Sequence, residues 1–165
     1  MKLALKDWVT LAGASCGFLA IVAARYYSPW LAVGFVLAAV FFDALDGRVA
    51  RRSKPDAFGR ELDSLADAVS FGVAPAIIIF EAGAGFQGVT GAFALLAAAV
   101  WYCGCALARL ARFNLSGAYE GLPSPVAAVG VLAASFTVPS LAWLWLLGAG
   151  ALMVAGFKVR KPCRP

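Results

Sequence analysis

The sequence predicts an all-α, polytopic membrane protein with six transmembrane helices and both termini on the cytoplasmic side. Three observations carry this expectation. Apolar residues make up 62% of the 165 residues and charged residues only 14%, with a mean hydropathy of +0.84; a soluble domain carries about 25% charged residues. The apolar residues gather into six runs, each approaching the about 20 residues that a helical span needs. The basic residues fall almost entirely on alternate connections between those runs. A chain of this length is expected to form one domain, residues 1–165.

The first span is expected over Trp8 to Ala24, ended by Arg25 and Pro29. It is followed by Tyr26-Tyr27-Ser28-Pro29 rather than by small residues suited to signal cleavage, so it reads as a retained span. The second runs from Trp30 to Arg51 and is broken by the charged stretch Arg51-Arg52-Ser53-Lys54-Pro55-Asp56. The third covers Arg60 to Phe80, before the small-residue segment Ala82-Gly83-Ala84-Gly85. The fourth covers Val89 to Arg112, and the polar loop Asn114 to Leu122 follows it. The fifth covers Pro123 to Val138, and Pro139-Ser140 turns the chain into the sixth, Leu141 to Phe157.

Orientation follows from the tendency of Lys and Arg to stay in short cytoplasmic loops. With the N-terminus inside, the inner segments hold Lys2, Lys6, Arg48, Arg51, Arg52, Lys54, Arg60, Arg109, Arg112, Lys158, Arg160, Lys161 and Arg164, which is 13 of the 14 basic residues. Arg25 alone falls outside. Membrane orientation thus explains the net charge of +5, and a nucleic-acid partner is not needed to account for it.

The chain has no histidine, so metal or acid–base chemistry falls to carboxylates, Lys, Tyr or Cys. Its four cysteines, Cys16, Cys103, Cys105 and Cys163, lack the spacing of a zinc site. Cys103-Gly104-Cys105 lies inside an apolar run and reads as small packing residues.

The acids are more informative. Each charged group within a span costs about 2.5–3.5 kcal/mol on insertion scales, which marks it as functional by default. The second span ends Asp43-Ala44-Leu45-Asp46-Gly47-Arg48, and the third begins Gly59-Arg60-Glu61-Leu62-Asp63-Ser64-Leu65-Ala66-Asp67. Spacings of three and four put Asp43 with Asp46, and Asp63 with Asp67, on single helix faces. A reversing turn makes the two spans antiparallel neighbours, so all four carboxylates can meet near the cytoplasmic end. Such a cluster repels itself unless cations neutralise it or some members hold protons. Hard divalent cations suit carboxylate oxygens, and a pair of them serves phosphoryl chemistry. Gly47, Ala50 and Gly59 leave room for a ligand, and Arg51 can pair with a phosphate. The alternative is a solvated charge cluster paired with Arg48, Arg51, Arg52 and Arg60.

Together, Asp43-x-x-Asp46-Gly47-x-x-Ala50-Arg51 and Gly59-x-x-x-Asp63-x-x-x-Asp67 resemble the signature of the CDP-alcohol phosphotransferase family. That family's six-helix membrane fold matches the whole chain. Seven residues separate Arg51 from Gly59, a turn shorter than the family's usual one. The first span carries Asp7-Trp8-Val9-Thr10 where relatives often have an Asn-x-x-Thr sequence. Within the family the chain looks most like the phosphatidylserine synthases, through Cys16 to Ile21, Leu62 to Pro75, Arg109-Leu110-Ala111-Arg112-Phe113-Asn114 and Gly121-Leu122-Pro123-Ser124-Pro125.

The resemblance implies an integral membrane enzyme, in a prokaryotic cell membrane, with its site facing the cytoplasm. It would move the phosphatidyl group of CDP-diacylglycerol, or of a CDP-linked ether lipid, to the hydroxyl of L-serine and release CMP. It implies two divalent ions, Mg2+ or Mn2+, on Asp43, Asp46, Asp63 and Asp67, with Asp67 also the general base. Gly47, Ala50, Arg51 and Gly59 would line the CDP pocket, and the protein would be a homodimer. Arg109 and Arg112 either hold the lipid phosphate or the serine carboxylate, or anchor the helix on the cytoplasmic side. Asn114 either touches serine or caps its helix. Gly72 and Pro75 either open a gap for lipid tails or kink the third span.

Two other functions fit less of the chain. A relative using glycerol 3-phosphate or an inositol phosphate would call for a more basic acceptor pocket. A small metal-ion transporter would carry polar groups near the midplane of several spans, whereas these acids crowd one turn near one face.

Overall fold

A computed structural model of the chain describes residues 5–50, 57–85, 88–116 and 121–155. Among these residues all regular structure is helical, and it forms six helices. We label them α1 (Leu5–Tyr26), α2 (Pro29–Ala50), α3 (Ala57–Gly83), α4 (Gly88–Ser116), α5 (Ser124–Thr137) and α6 (Ala142–Val154). A single 3-10 turn, Pro139–Leu141, leads into α6.

The first four helices are long and apolar enough to cross a membrane, over Lys6–Tyr26, Pro29–Arg48, Ala57–Gly83 and Gly88–Leu115. The last two are as apolar but shorter, at 14 and 13 residues. Large apolar side chains on the outside, among them Phe18, Trp30, Phe41, Phe93 and Trp101, suit a surface wetted by lipid. The interior is built mainly from small residues. Ala20, Ala32, Ala74, Ala106 and Ala128 are fully buried, and helices joined through such residues approach closely.

Local chemistry sets several boundaries. Pro29 opens α2, where its missing N–H leaves no bond unmade. The Ser28 hydroxyl accepts from the Leu31 backbone N–H at 3.1 Å and caps that end. Between α4 and α5, Gly121 sits at φ 73°, with Met153 O only 2.2 Å from where a Cβ would stand. The Leu122 N–H then donates to Leu152 O at 3.1 Å and ties the entry of α5 to the end of α6.

The third helix departs from the regular helix expected of it. Its first part, Ala57–Asp67, is α-helical, Ala68–Val73 widens to π-helix, and Ala74–Gly83 returns to α. Pro75 explains much of this. It has no N–H to donate to Phe71 O four residues earlier. The buried Tyr102 hydroxyl of α4 donates to that carbonyl instead, at 2.9 Å. Gly72 and Pro75 are both buried, and a Cβ on Gly72 would meet Ala106 of α4 at 3.4 Å. The pair packs α3 against α4, so the expectation of a gap toward the lipid gives way to a packing role.

Candidate active site

Six helix ends meet at one end of the bundle: the starts of α1, α3 and α5 and the finishes of α2, α4 and α6. Cross-helix bonds from Thr10 to Asp46, from Asn114 to Glu61, from Arg109 to Ser124 and from Arg112 to Val154 O all lie there. The four aspartates lie at the same end, on α2 and α3. They line one small cleft with Thr10, Gly13, Ala39, Ala66, Ser70 and Phe71.

Asp43, Asp46 and Asp63 each offer a carboxylate oxygen, and the three oxygens lie within 4.8 Å of one another. Asp67 stands one turn further along α3, in the same cleft, and experiences the charges of Asp43, Asp63 and Asp46 and of Arg109. The donor set is all oxygen, which suits a hard divalent cation, and the crowded negative charge gives such an ion a reason to bind. These three aspartates could therefore hold a metal ion.

Thr10 was legible only as a retained motif residue. In the structure its hydroxyl lies 3.0 Å from Asp46 Oδ2 and 3.1 Å from Lys6 O, so its single proton is shared between them. It orients Asp46 toward the other carboxylates. Partners that orient metal ligands are commonly worth about 10–100-fold in metal affinity or activity. Thr10→Val keeps the shape and loses the donor, so we expect Mn2+ binding to weaken by about that factor, measured by titration of the purified protein.

The remaining expected site residues are distributed as follows. Gly47 faces open space, with nothing within 4 Å of a Cβ placed there. The space above Gly59 is taken up by α1, since a Cβ would stand 2.5 Å from Lys6 Nζ and 3.3 Å from Asp7 Oδ1. Gly59 thus lets a lysine and a buried aspartate of α1 approach the start of α3. Ala50 closes α2, and Arg51 lies outside the described residues, as do Arg52, Ser53, Lys54 and Asp56. Arg109 Nη1 donates to the buried Ser124 Oγ at 2.8 Å, while Arg112 donates to Val154 O at 3.2 Å and ties α4 to the end of α6. Asn114 bonds across to α3: Ser64 Oγ donates to Asn114 Oδ1 at 2.9 Å, and Asn114 Nδ2 donates to Glu61 Oε2 at 3.2 Å.

A larger cavity of about 390 Å3 opens at the far end of the bundle, between Ile79, Ala82, Gly83, Ser135, Phe136, Pro139 and Ala142. It has no charged lining residue. Chemistry, and not volume, therefore marks the acidic end as the site.

The CDP-alcohol phosphatidyltransferase family model matches residues 3–159 of this chain. The chain belongs to that family. Family membership makes it an integral membrane protein, in keeping with its apolar helices. It is similar to the archaetidylserine synthase of Methanothermobacter thermautotrophicus, 41% identical over 136 residues that cover 78% of this chain and 56% of the relative. It is also similar to the CDP-diacylglycerol–serine O-phosphatidyltransferase of Saccharomyces cerevisiae, at 38% over 158 residues, 83% of this chain and 55% of the relative. The enzyme of that name from Bacillus subtilis is 34% identical over 156 residues, 91% of this chain and 86% of the relative. The chain thus spans little more than half the length of the first two. Within a CDP-alcohol phosphatidyltransferase, a cleft that gathers four aspartates is where divalent metal and activated lipid are expected to meet.

Proposed function

We propose that this CDP-alcohol phosphatidyltransferase transfers the phosphatidyl group of a CDP-linked lipid to the hydroxyl of L-serine, releasing CMP. The observation that carries the reading is the convergence of Asp43, Asp46, Asp63 and Asp67 from two helices on one cleft. The serine assignment draws on the names of the relatives, which are serine O-phosphatidyltransferases and an archaetidylserine synthase. Their names include both diacyl and ether lipids, so the donor is CDP-diacylglycerol or its ether counterpart.

In this reading the whole chain, residues 1–165, is one membrane domain with six spans. The distribution of 13 of 14 basic residues supports cytoplasmic termini and a site facing the cytoplasm. CDP and serine are water-soluble and the lipid tails are not, so a cleft at the bundle end serves both. The protein works as a homodimer in a prokaryotic cell membrane.

Asp43, Asp46 and Asp63 would hold one divalent ion, and Asp67 would share in holding a second, each Mg2+ or Mn2+. Such ions supply screening of the diphosphate and polarisation of the phosphorus under attack. Gly47, Ala50, Arg51 and Gly59 border the CDP moiety, and Lys6, brought over Gly59, adds a cation there. The serine hydroxyl oxygen attacks the phosphorus that bears the lipid. As that O–P bond forms, the P–O bond to the CMP phosphate breaks and CMP leaves with the electron pair. Asp67 accepts the hydroxyl proton in the same step. A carboxylate with a pKa near 4 is a weak base for a free alcohol, and it acts here because the proton becomes acidic only as the bond to phosphorus forms. Arg109, beside Asp67, holds the acceptor's carboxylate.

The test follows labelled L-serine into chloroform-soluble product in membranes containing the protein. Incorporation is expected to require both a CDP-lipid and Mg2+ or Mn2+, and to stop with excess chelator. Incorporation that persists without CDP-lipid, or none with either donor lipid, would refute the reading.

A further inference from the structure

The seam between α3 and α4 carries polar groups that the transfer chemistry does not use. Glu61 and Ser64 are three residues apart, on one face of α3. Both engage Asn114 of α4, through Ser64 Oγ to Asn114 Oδ1 at 2.9 Å and Asn114 Nδ2 to Glu61 Oε2 at 3.2 Å. One turn deeper on α3 is Asp67, which interacts with the Arg109 guanidinium of α4. Arg109 is itself steadied by the buried Ser124. The seam therefore offers a carboxylate at its outer end and a guanidinium at its inner end, beside the base.

This order of charges fits one class of acceptor. An α-amino acid carries an ammonium and a carboxylate on one carbon and needs an anion for the first and a cation for the second. A phosphorylated polyol carries only negative charge, and Glu61 would repel it. The Glu61 side chain is exposed, and a carboxylate has about four acceptor positions, so the bond from Asn114 orients it without using it up. Six residues of helix separate Glu61 from Asp67, a rise of about 9 Å. An amino acid covers that length with a hydrogen bond of about 2.9 Å at each end.

We infer that Glu61, oriented by Asn114 and Ser64, binds the α-ammonium of the acceptor amino acid while Arg109 binds its carboxylate, and that this pair selects an amino-acid acceptor over phosphorylated alcohols. The inference rests on the serine-transfer reading and adds to it a residue that determines specificity.

The experiment begins with the wild-type protein, CDP-lipid and L-serine. Absence of serine-dependent CMP release would sink the underlying transfer reading, and with it this inference. Where release is seen, Glu61→Gln is expected to raise the KM for serine about 10-fold or more, the worth of a hydrogen bond to a charged group. Its kcat and its KM for CDP-lipid are expected to stay at the wild-type values, the pattern of a lost acceptor-binding contact. Glu61→Asp, which keeps the charge, is expected to fall between the two. The inhibition constant of 3-hydroxypropanoate, which is serine without the ammonium, is expected to be the same in the wild type and in Glu61→Gln. L-serine is also expected to raise the melting temperature of the detergent-solubilised wild type, and to lose that effect in Glu61→Gln. An unchanged serine KM, an equal loss toward 3-hydroxypropanoate, or a matching rise in the CDP-lipid KM would overturn the inference. So would wild-type protein that binds 3-hydroxypropanoate as tightly as serine, a comparison that needs no variant.

Discussion

Asp67→Asn is expected to reduce serine-dependent CMP release by about 10²–10⁴-fold, the usual worth of a positioned general base. The substitution is nearly isosteric, so the helix and the cleft should survive it. Asp67 lies outside the group of three carboxylates whose oxygens come within 4.8 Å of one another. The variant should therefore still bind Mn2+ at Asp43, Asp46 and Asp63. Asp63→Asn, by contrast, is expected to lose both Mn2+ binding and activity. Parallel metal titrations and CMP assays on the two variants separate the roles. Equal loss of metal binding in both would move Asp67 from base to simple ligand.

The second large effect falls on the helix crossing that supports the cleft. Gly17 of α1 faces the π-helical part of α3, where a Cβ would stand 2.4 Å from Ser70 Oγ and 2.7 Å from Ser70 Cα. Rotating a side chain cannot relieve the contact with backbone, so the two helices must move apart. Ser70 also donates to Gly13 O at 3.2 Å and lies in the cleft three residues beyond Asp67. Gly17→Ala is expected to cost about 1–3 kcal/mol, the range for overpacking a close-packed contact. The loss should be visible as a lower melting temperature in detergent, together with reduced activity. Gly34→Ala is the control, because a Cβ there meets nothing within 4 Å. Alanine favours helix over glycine by about 1 kcal/mol, so the control should melt no lower than the wild type.

The helices and the acidic cluster were legible because each rests on local pattern. Apolar runs bounded by Arg25 and Pro29, or by Val138 and Pro139, mark helix ends without any knowledge of the fold. Asp43 and Asp46, or Asp63 and Asp67, share a face by spacing alone, and the turn between them brings the pairs together. The features that escaped are those in which one helix meets another far away in sequence. Thr10 reaches Asp46 across 36 positions, and Asn114 reaches Glu61 across 53. No spacing rule connects such residues. Gly59 illustrates the same limit: its small size suggested room for a ligand, whereas Lys6 and Asp7 come over it from α1. Gly72 and Pro75 signalled irregularity in α3, but the form it took depends on the Tyr102 hydroxyl of α4. The short lengths of α5 and α6 were likewise hidden, because apolar residues continue past Val154 while the helix does not.

Serine-dependent release of CMP from a CDP-lipid by the purified protein tests the central claim most directly. L-serine, glycerol 3-phosphate, inositol phosphate and no acceptor are compared in parallel, with Mg2+ or Mn2+ present. We expect CMP with serine alone, and none from Asp67→Asn. Release with a phosphorylated acceptor and not with serine would contradict the claim, as would no release from folded protein with any of the three.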